Sequence, residues 1–164
     1  MKIRVGFGFD IHPLKRGRTL YLGGVKIPHP AGLAGHSDGD ALIHSIIDAL
    51  LGASGEEDIG RLFPVDDSRF FGIRSTRLLE DVMKRLNRKG VRIVNLDSVI
   101  VAEAPRMAPY VKKMKAVLSP ILGVAEDDLG IKAKTHEKMG DIGRGEAIAC
   151  WAVALVEVSR KKPC

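Results

Sequence analysis

An α+β fold is what the sequence predicts: a mixed sheet of four to five strands with helices packed on one face. Two observations lead there. Segments with the period of strands are interspersed with segments of helical period, and strand pairs at the start and the end of the chain read as hairpins. The length of 164 residues adds a third, because it suits one domain with a single buried core. That domain is expected at residues 1–158, followed by a basic tail over 159–164 that carries Arg160, Lys161 and Lys162.

Residues 2–9 alternate apolar Ile3, Val5, Phe7 and Phe9 with small or basic residues, the period of a half-buried strand, and the strand ends at Asp10. Residues 19–27 read as a second strand, marked by a bulge or turn at Gly23-Gly24, and together the two suggest an early hairpin. From Asp38 or Asp40 to Leu51 the residues Leu42, Ile43, Ile46, Ile47, Leu50 and Leu51 recur at helical spacing, and Gly52 reads as the stop. The opposite stripe holds Asp40, His44 and Asp48, each one turn from the next, so three polar groups share a side. A second helix covers 75–88 and closes at Gly90. Residues 92–103 form a strand rich in Val and Ile. A helix follows over 108–122, with Pro109 tolerated in its first turn and Pro120 as a point where it can end early. The last strands are 128–136 and 147–158, the second nearly continuous in apolar residues, as in a strand buried on both faces.

Composition narrows the function. Apolar residues make up 45% and charged residues 28%, proportions that support a packed core and argue against disorder. The longest apolar runs fall well short of the roughly 20 residues needed to span a bilayer, so no membrane association is expected. Met1 leads directly into a strand pattern with no apolar signal core, and a cytoplasmic location is the expectation. Cys150 and Cys164 are isolated thiols, and Cys150 sits in an apolar run as a small buried hydrophobe. The net charge of +6 attracts anions. With five Phe, two Tyr and one Trp and no basic–aromatic stacking motif, no nucleic-acid partner is expected. The basic clusters at 84–89 and 112–115 read as solvated helix faces.

The sharpest local feature is Asp10-Ile11-His12. Residues two apart on an extended segment point the same way, so a carboxylate and an imidazole can reach one point. His44, near the start of a helix, adds a second imidazole. Two nitrogens and one oxygen with a fourth position open are the pattern of a catalytic zinc site. Alone, a D-x-H pair is equally the mark of an ordinary hydrogen-bonded surface pair. His36-Ser37-Asp38-Gly39-Asp40 precedes the same helix, where backbone N–H groups and the helix dipole favour an anion; the same residues are equally good helix caps. In Thr135-His136-Glu137 through Gly143-Arg144-Gly145-Glu146, a hydroxyl, an acidic oxygen and a guanidinium able to fork onto phosphate share a glycine-rich segment, which alone also reads as a tight turn. Gly6-Phe7-Gly8 does not continue to GxGxxG and is no dinucleotide fingerprint.

Taken in order, these pieces resemble the 2-C-methyl-D-erythritol 2,4-cyclodiphosphate synthase family of the non-mevalonate isoprenoid pathway. The resemblance spans about residues 3–158. It rests on Gly8-Phe9-Asp10-Ile11-His12, Leu22-Gly23-Gly24-Val25, His36-Ser37-Asp38-Gly39-Asp40, Asp48-Ala49-Leu50-Leu51-Gly52, Asp58-Ile59-Gly60, Leu62-Phe63-Pro64, Ala104-Pro105 and Gly143-Arg144-Gly145-Glu146. Any one motif is weak, and the ordered set is highly specific. The resemblance implies a homotrimer with sites between subunits, zinc on Asp10, His12 and His44, and a second ion, magnesium or manganese, held partly by Glu137. It implies a cytidine and phosphate pocket from residues 102–108 and 134–135, with Ala102, Pro105, Arg106, Met107, Ala108, Lys134 and Thr135 as its substrate contacts. His36 and Ser37 would face the erythritol phosphate. Asp10, His12, Asp58, Ile59, Gly60, Phe63, Asp67, Glu137, Asp141 and Arg144 complete the expected substrate contacts, and His36 and Thr135 are the expected catalytic pair. Val65, Lys134 and Asp141 depart from the residue types usual in that family.

The activity so implied is a phosphorus-oxygen lyase. The substrate's own 2-phosphate attacks the β-phosphorus of its cytidine diphosphate arm, which yields the cyclodiphosphate and CMP. A zinc-dependent nucleotide diphosphatase is the competing enzyme reading, with water as the attacker. A non-catalytic, metal-stabilised trimeric binding module is the competing reading from another class.

Overall fold

The computed structural model describes residues 1–159. The chain runs β1 (Lys2–Arg16), β2 (Leu20–Leu22), β3 (Val25–Ile27), β4 (Ala31–Leu33), α1 (Ala41–Ser54), α2 (Ile59–Leu62), α3 (Ser75–Arg88), β5 (Val91–Val101), α4 (Val111–Leu122), β6 (Leu129–Lys134), α5 (Gly140–Gly143) and β7 (Ala147–Val158). Five strands form one mixed sheet in the order β4-β1-β7-β5-β6, in which only β5 and β6 run parallel. α1 packs across β1 and β7, and α3 and α4 continue the same helical layer over β5 and β6. The predicted α+β sheet with helices on one face is what forms. No helix among the described residues is long and apolar enough to cross a membrane.

Neither predicted hairpin forms in the sheet. β1 does not pair with residues 19–27; it runs on past Asp10 to Arg16 and pairs with β7 and β4. Residues 19–27 are themselves a two-stranded hairpin that turns at Gly23-Gly24, both at positive φ. At the other end β7 inserts between β1 and β5, so β6 and β7 are not neighbours. Sequence proximity suggested both pairings, and the long-range β1·β7 ladder displaced them.

The face that β1 buries is the opposite of the one its apolar alternation suggests. Ile3, Val5, Phe7, Phe9 and Ile11 are exposed, and Gly6 and Gly8 face the helix. A Cβ at Gly6 would lie 1.9 Å from the Ala49 carbonyl oxygen, and one at Gly8 would lie 1.9 Å from that of Ser45. α1 therefore sits on the sheet at a distance only glycine allows. Leu42, Ile43, Ile46, Ile47, Leu50 and Leu51 are fully buried, so α1 is the central helix of the core. It continues through Gly52 and ends at Gly55, a left-handed C-cap. Pro120 likewise does not end α4, which runs to Leu122 and is capped by left-handed Gly123. β7 is buried on both faces only near its start, and Val153 is 42% exposed.

Asp40 fixes the start of α1. Its carboxylate accepts hydrogen bonds from the Ile43 amide at 3.1 Å and, across the β2–β3 turn, from the Gly23 and Gly24 amides at 2.9 and 2.8 Å. Full burial and the nearby Asp38 charge push its pKa up, against the three amides that favour the ionised form. The predicted basic tail lies, beyond Ser159, outside the described residues.

Candidate active site

Extended alternation on β1 turns Asp10 and His12 toward α1, and the first turn of α1 brings His44 to meet them. Asp10 Oδ2 lies 2.8 Å from His12 Nε2 and 3.0 Å from His44 Nδ1, and these two nitrogens are 3.2 Å apart. One ligand atom from each residue falls within 4.8 Å of the others, and among the described residues no other such group of three occurs. The far side of each ring is held. His12 Nδ1 donates to the Ala34 carbonyl at 2.6 Å, and His44 Nε2 lies 2.9 Å from Ser75 Oγ and 3.1 Å from Ser37 Oγ. Burial opposes ionisation of Asp10, yet hydrogen bonds and charge from His12 and His44 outweigh it and hold its pKa at about 2. Burial likewise works to lower the His12 pKa, but the Asp10 hydrogen bond and charge raise it overall. A permanently available carboxylate oxygen and two imidazole nitrogens with their outer nitrogens engaged fit a borderline divalent ion.

This cluster opens into a cavity of about 190 Å³ whose walls include Asp10, His12, His36, Ser37, His44, Ile59, Gly60 and Phe63, all expected at the site. Val65, Phe70, Ile73 and Leu78 also line it. Phe70 and Ile73 fall in a stretch without helix or strand period, so no sequence pattern marks them as lining residues. Asp58 and Asp67 are adjacent but do not line the cavity. Asp58 caps α2 through the Arg61 amide at 3.0 Å, and the Asp67 carboxylate is held by Arg69. Of the turn that leads into α1, His36 and Ser37 line the cavity, while Asp38, Gly39 and Asp40 are taken up in capping the helix. The amides of Asp38, Gly39, Asp40 and Ile43 are used by Ile73 O, Ser37 Oγ, Asp38 Oδ1 and Asp40 Oδ1. The helix entrance is buried and capped by its own side chains.

A second cavity of about 470 Å³ gathers Ala102, Glu103, Pro105, Arg106, Met107, Ala108, Lys134 and Thr135, the expected nucleotide pocket except for Ala104. It lies at the carboxyl ends of the parallel strands β5 and β6, where Val101 and Lys134 are register partners, the usual ligand position in parallel sheets. Thr135 Oγ1 donates to Glu137 Oε1 at 2.6 Å, which keeps Glu137 beside this cavity and away from Asp10. Glu137 is an exposed carboxylate, and Glu103, which also lines the cavity, accepts from the neighbouring Lys138 amide; few protein oxygens suit an ion such as magnesium that keeps waters and phosphate oxygens as its other ligands. Asp141 and Arg144 line neither cavity. The Arg144 guanidinium is forked onto Glu146 at 3.2 Å and paired with Asp141.

The two cavities share no wall residue. Asp10 is level with Cys150, Ile100 and Ala133 across the sheet, so the β6 wall of the second cavity is three strand spacings, about 14 Å, from the strand that carries Asp10.

A model of the YgbB family matches residues 3–157. The chain is 50% identical over 157 residues to a 2-C-methyl-D-erythritol 2,4-cyclodiphosphate synthase of Laribacter hongkongensis, covering 96% of this chain and 97% of that protein. Among solved structures it is similar to the bifunctional IspDF from Campylobacter jejuni, at TM-score 0.92 and 36% identity, covering 96% of this chain and 43% of that one. It is also similar to IspF of Plasmodium falciparum in complex with CDP, at TM-score 0.84 and 38% identity, covering 96% and 97% of the two chains.

Proposed function

The chain belongs to the YgbB family, and on that premise we propose that it converts 4-diphosphocytidyl-2-C-methyl-D-erythritol 2-phosphate to 2-C-methyl-D-erythritol 2,4-cyclodiphosphate and CMP. The observation that carries this reading is the convergence of Asp10, His12 and His44 within one cavity, with a separate pocket of the expected nucleotide-binding residues on the same sheet. Zinc at the first site, with magnesium or manganese at Glu137, supplies charge neutralisation at phosphate oxygens when bound.

The reaction needs no protein nucleophile. A phosphomonoester loses its second proton at about 6, so the attacking 2-phosphate is already anionic at neutral pH. Its oxygen forms a bond to the β-phosphorus, and the bond from that phosphorus to the bridging oxygen breaks, leaving CMP. The protein's task is to hold two anionic arms together. Lys134 and Arg106 bring positive charge to the diphosphate, and Thr135 offers a hydroxyl beside it. His36 and Ser37 steady the phosphate-bearing end. Ile59, Gly60 and Phe63 wall the first cavity and exclude water, which favours the internal attacker.

A homotrimer with sites between subunits belongs to the same proposal. One substrate must reach a metal cluster and a nucleotide pocket whose β6 wall lies about 14 Å across the sheet from the strand that carries Asp10, and the outer face of β1 exposes Val5 at 67%, Phe7 at 62% and Ile3 at 54%. An apolar patch of that kind marks an assembly surface. We place the acting unit at residues 1–158, in the cytoplasm. To test the reading, CMP release is followed for chelator-stripped protein before and after zinc and magnesium are restored. Release should depend on both the metals and Asp10; equal release by Asp10→Ala would contradict the assignment.

A further inference from the structure

We propose that Ser75 and Asp38 are positioning residues for His44: the Ser75 hydroxyl, held by Asp38, fixes His44 as its Nε2–H tautomer and leaves Nδ1 free for the metal. Asp38, ion-paired to Arg74 Nε at 2.9 Å, can only accept, and it also accepts from the Ser75 amide at 3.1 Å and the Asp40 amide at 3.2 Å. The single hydroxyl proton of Ser75 is donated to Asp38 Oδ1. Ser75 Oγ is therefore left as an acceptor toward His44 Nε2 at 2.9 Å, which places a proton on that nitrogen, with Ser37 Oγ at 3.1 Å as a second and longer contact. With zinc bound, Nδ1 is then the nitrogen left to ligate it; without zinc, Nδ1–H donates to Asp10 Oδ2 at 3.0 Å, and that proton leaves when the metal binds. Ser75 is fully buried, and Asp38 and His44 are each only 8% exposed, so water cannot take over the contact. The arrangement is the outer half of a ligand–histidine–acceptor chain, with a serine between the imidazole and the carboxylate. His12 reaches the same end by a shorter route, through the Ala34 carbonyl.

This inference rests on the metal reading above, and its test separates the two. Zinc affinity is measured by chelator competition for the unaltered chain, Asp10→Ala, Ser75→Ala and Ser75→Thr, with thermal midpoints recorded to establish that each is folded at the assay temperature. Ser75→Ala should weaken zinc binding roughly 10–100-fold, the usual effect of losing an outer partner, and Ser75→Thr, which keeps the hydroxyl, should restore most of it. The cobalt-substituted Ser75→Ala protein should also show an altered visible spectrum. In the unaltered zinc-loaded protein, nitrogen–proton correlation of the imidazoles should report a proton on Nε2 of His44. Zinc binding by Ser75→Ala equal to that of the unaltered chain, or a zinc-loaded His44 with no proton on Nε2, overturns the relay alone. Failure of the unaltered chain to bind zinc overturns the metal reading and the relay with it.

Discussion

At the scale of single residues, the metal cluster ties binding to proton release. His12 has a raised pKa because Asp10 outweighs the burial that would lower it, and a metal must displace that proton. Zinc affinity should therefore fall as pH drops through the raised His12 value, while Asp10, held at about 2, stays ionised throughout. Chelator competition across the histidine range measures this, and a flat profile would contradict it. The metal-free protein should respond the other way. A histidine whose folded pKa exceeds its unfolded one contributes stability below the unfolded value and loses it as pH rises through the folded value. His12→Asn should remove that loss from the urea-unfolding profile of the metal-free chain. Asp10 and His12 were legible in the sequence because two-residue spacing on a strand is a geometric statement. Ser75 was not, since nothing in its own neighbourhood signals that a residue 31 positions after His44 meets that ring.

At the scale of elements, the site depends on how closely α1 lies on β1. Gly8→Ala would set a Cβ against the Ser45 carbonyl, one residue from His44, and backbone cannot yield as a side chain does. We expect a loss of about 3 kcal/mol, at the upper end for overpacking, together with weakened zinc binding; urea unfolding and chelator competition measure the two. Asp40→Ala should cost about 2 kcal/mol, because the cap of α1 and the contacts to Gly23 and Gly24 go together. The helices were read well from period and caps, as α3 over Ser75–Arg88 illustrates. β1 was read with the wrong face inward, because alternation reveals two faces but not which is buried. The glycines at 6 and 8 held that information, as positions where another backbone comes close. The turn at 36–40 was legible in both its possible roles, and it divides between them: Asp38 and Asp40 are buried in capping the helix, and His36 and Ser37 line the cavity.

At the scale of the whole molecule, an apolar outer sheet face and two cavities on one chain are explained together if copies of the chain assemble. Phe7→Lys would place a charge on that face while leaving Asp10, His12 and His44 untouched. Light scattering should show the unaltered protein as three chains of 17.8 kDa and the variant as one, with zinc affinity within about twofold, since distant sites act independently, and turnover lost. A monomeric variant with full turnover would remove the reason for placing sites between subunits. Strand order was the part of the fold least legible in the sequence, because the β1·β7 ladder joins residues from opposite ends of the chain and no local pattern encodes it. The most direct test of the central claim is phosphorus NMR of the product made by zinc- and magnesium-loaded protein in ¹⁸O-labelled water. The account predicts the cyclic diphosphate and CMP with no label in either. Open-chain phosphates with label at phosphorus would contradict it, because water and not the substrate's own phosphate would then be the attacker.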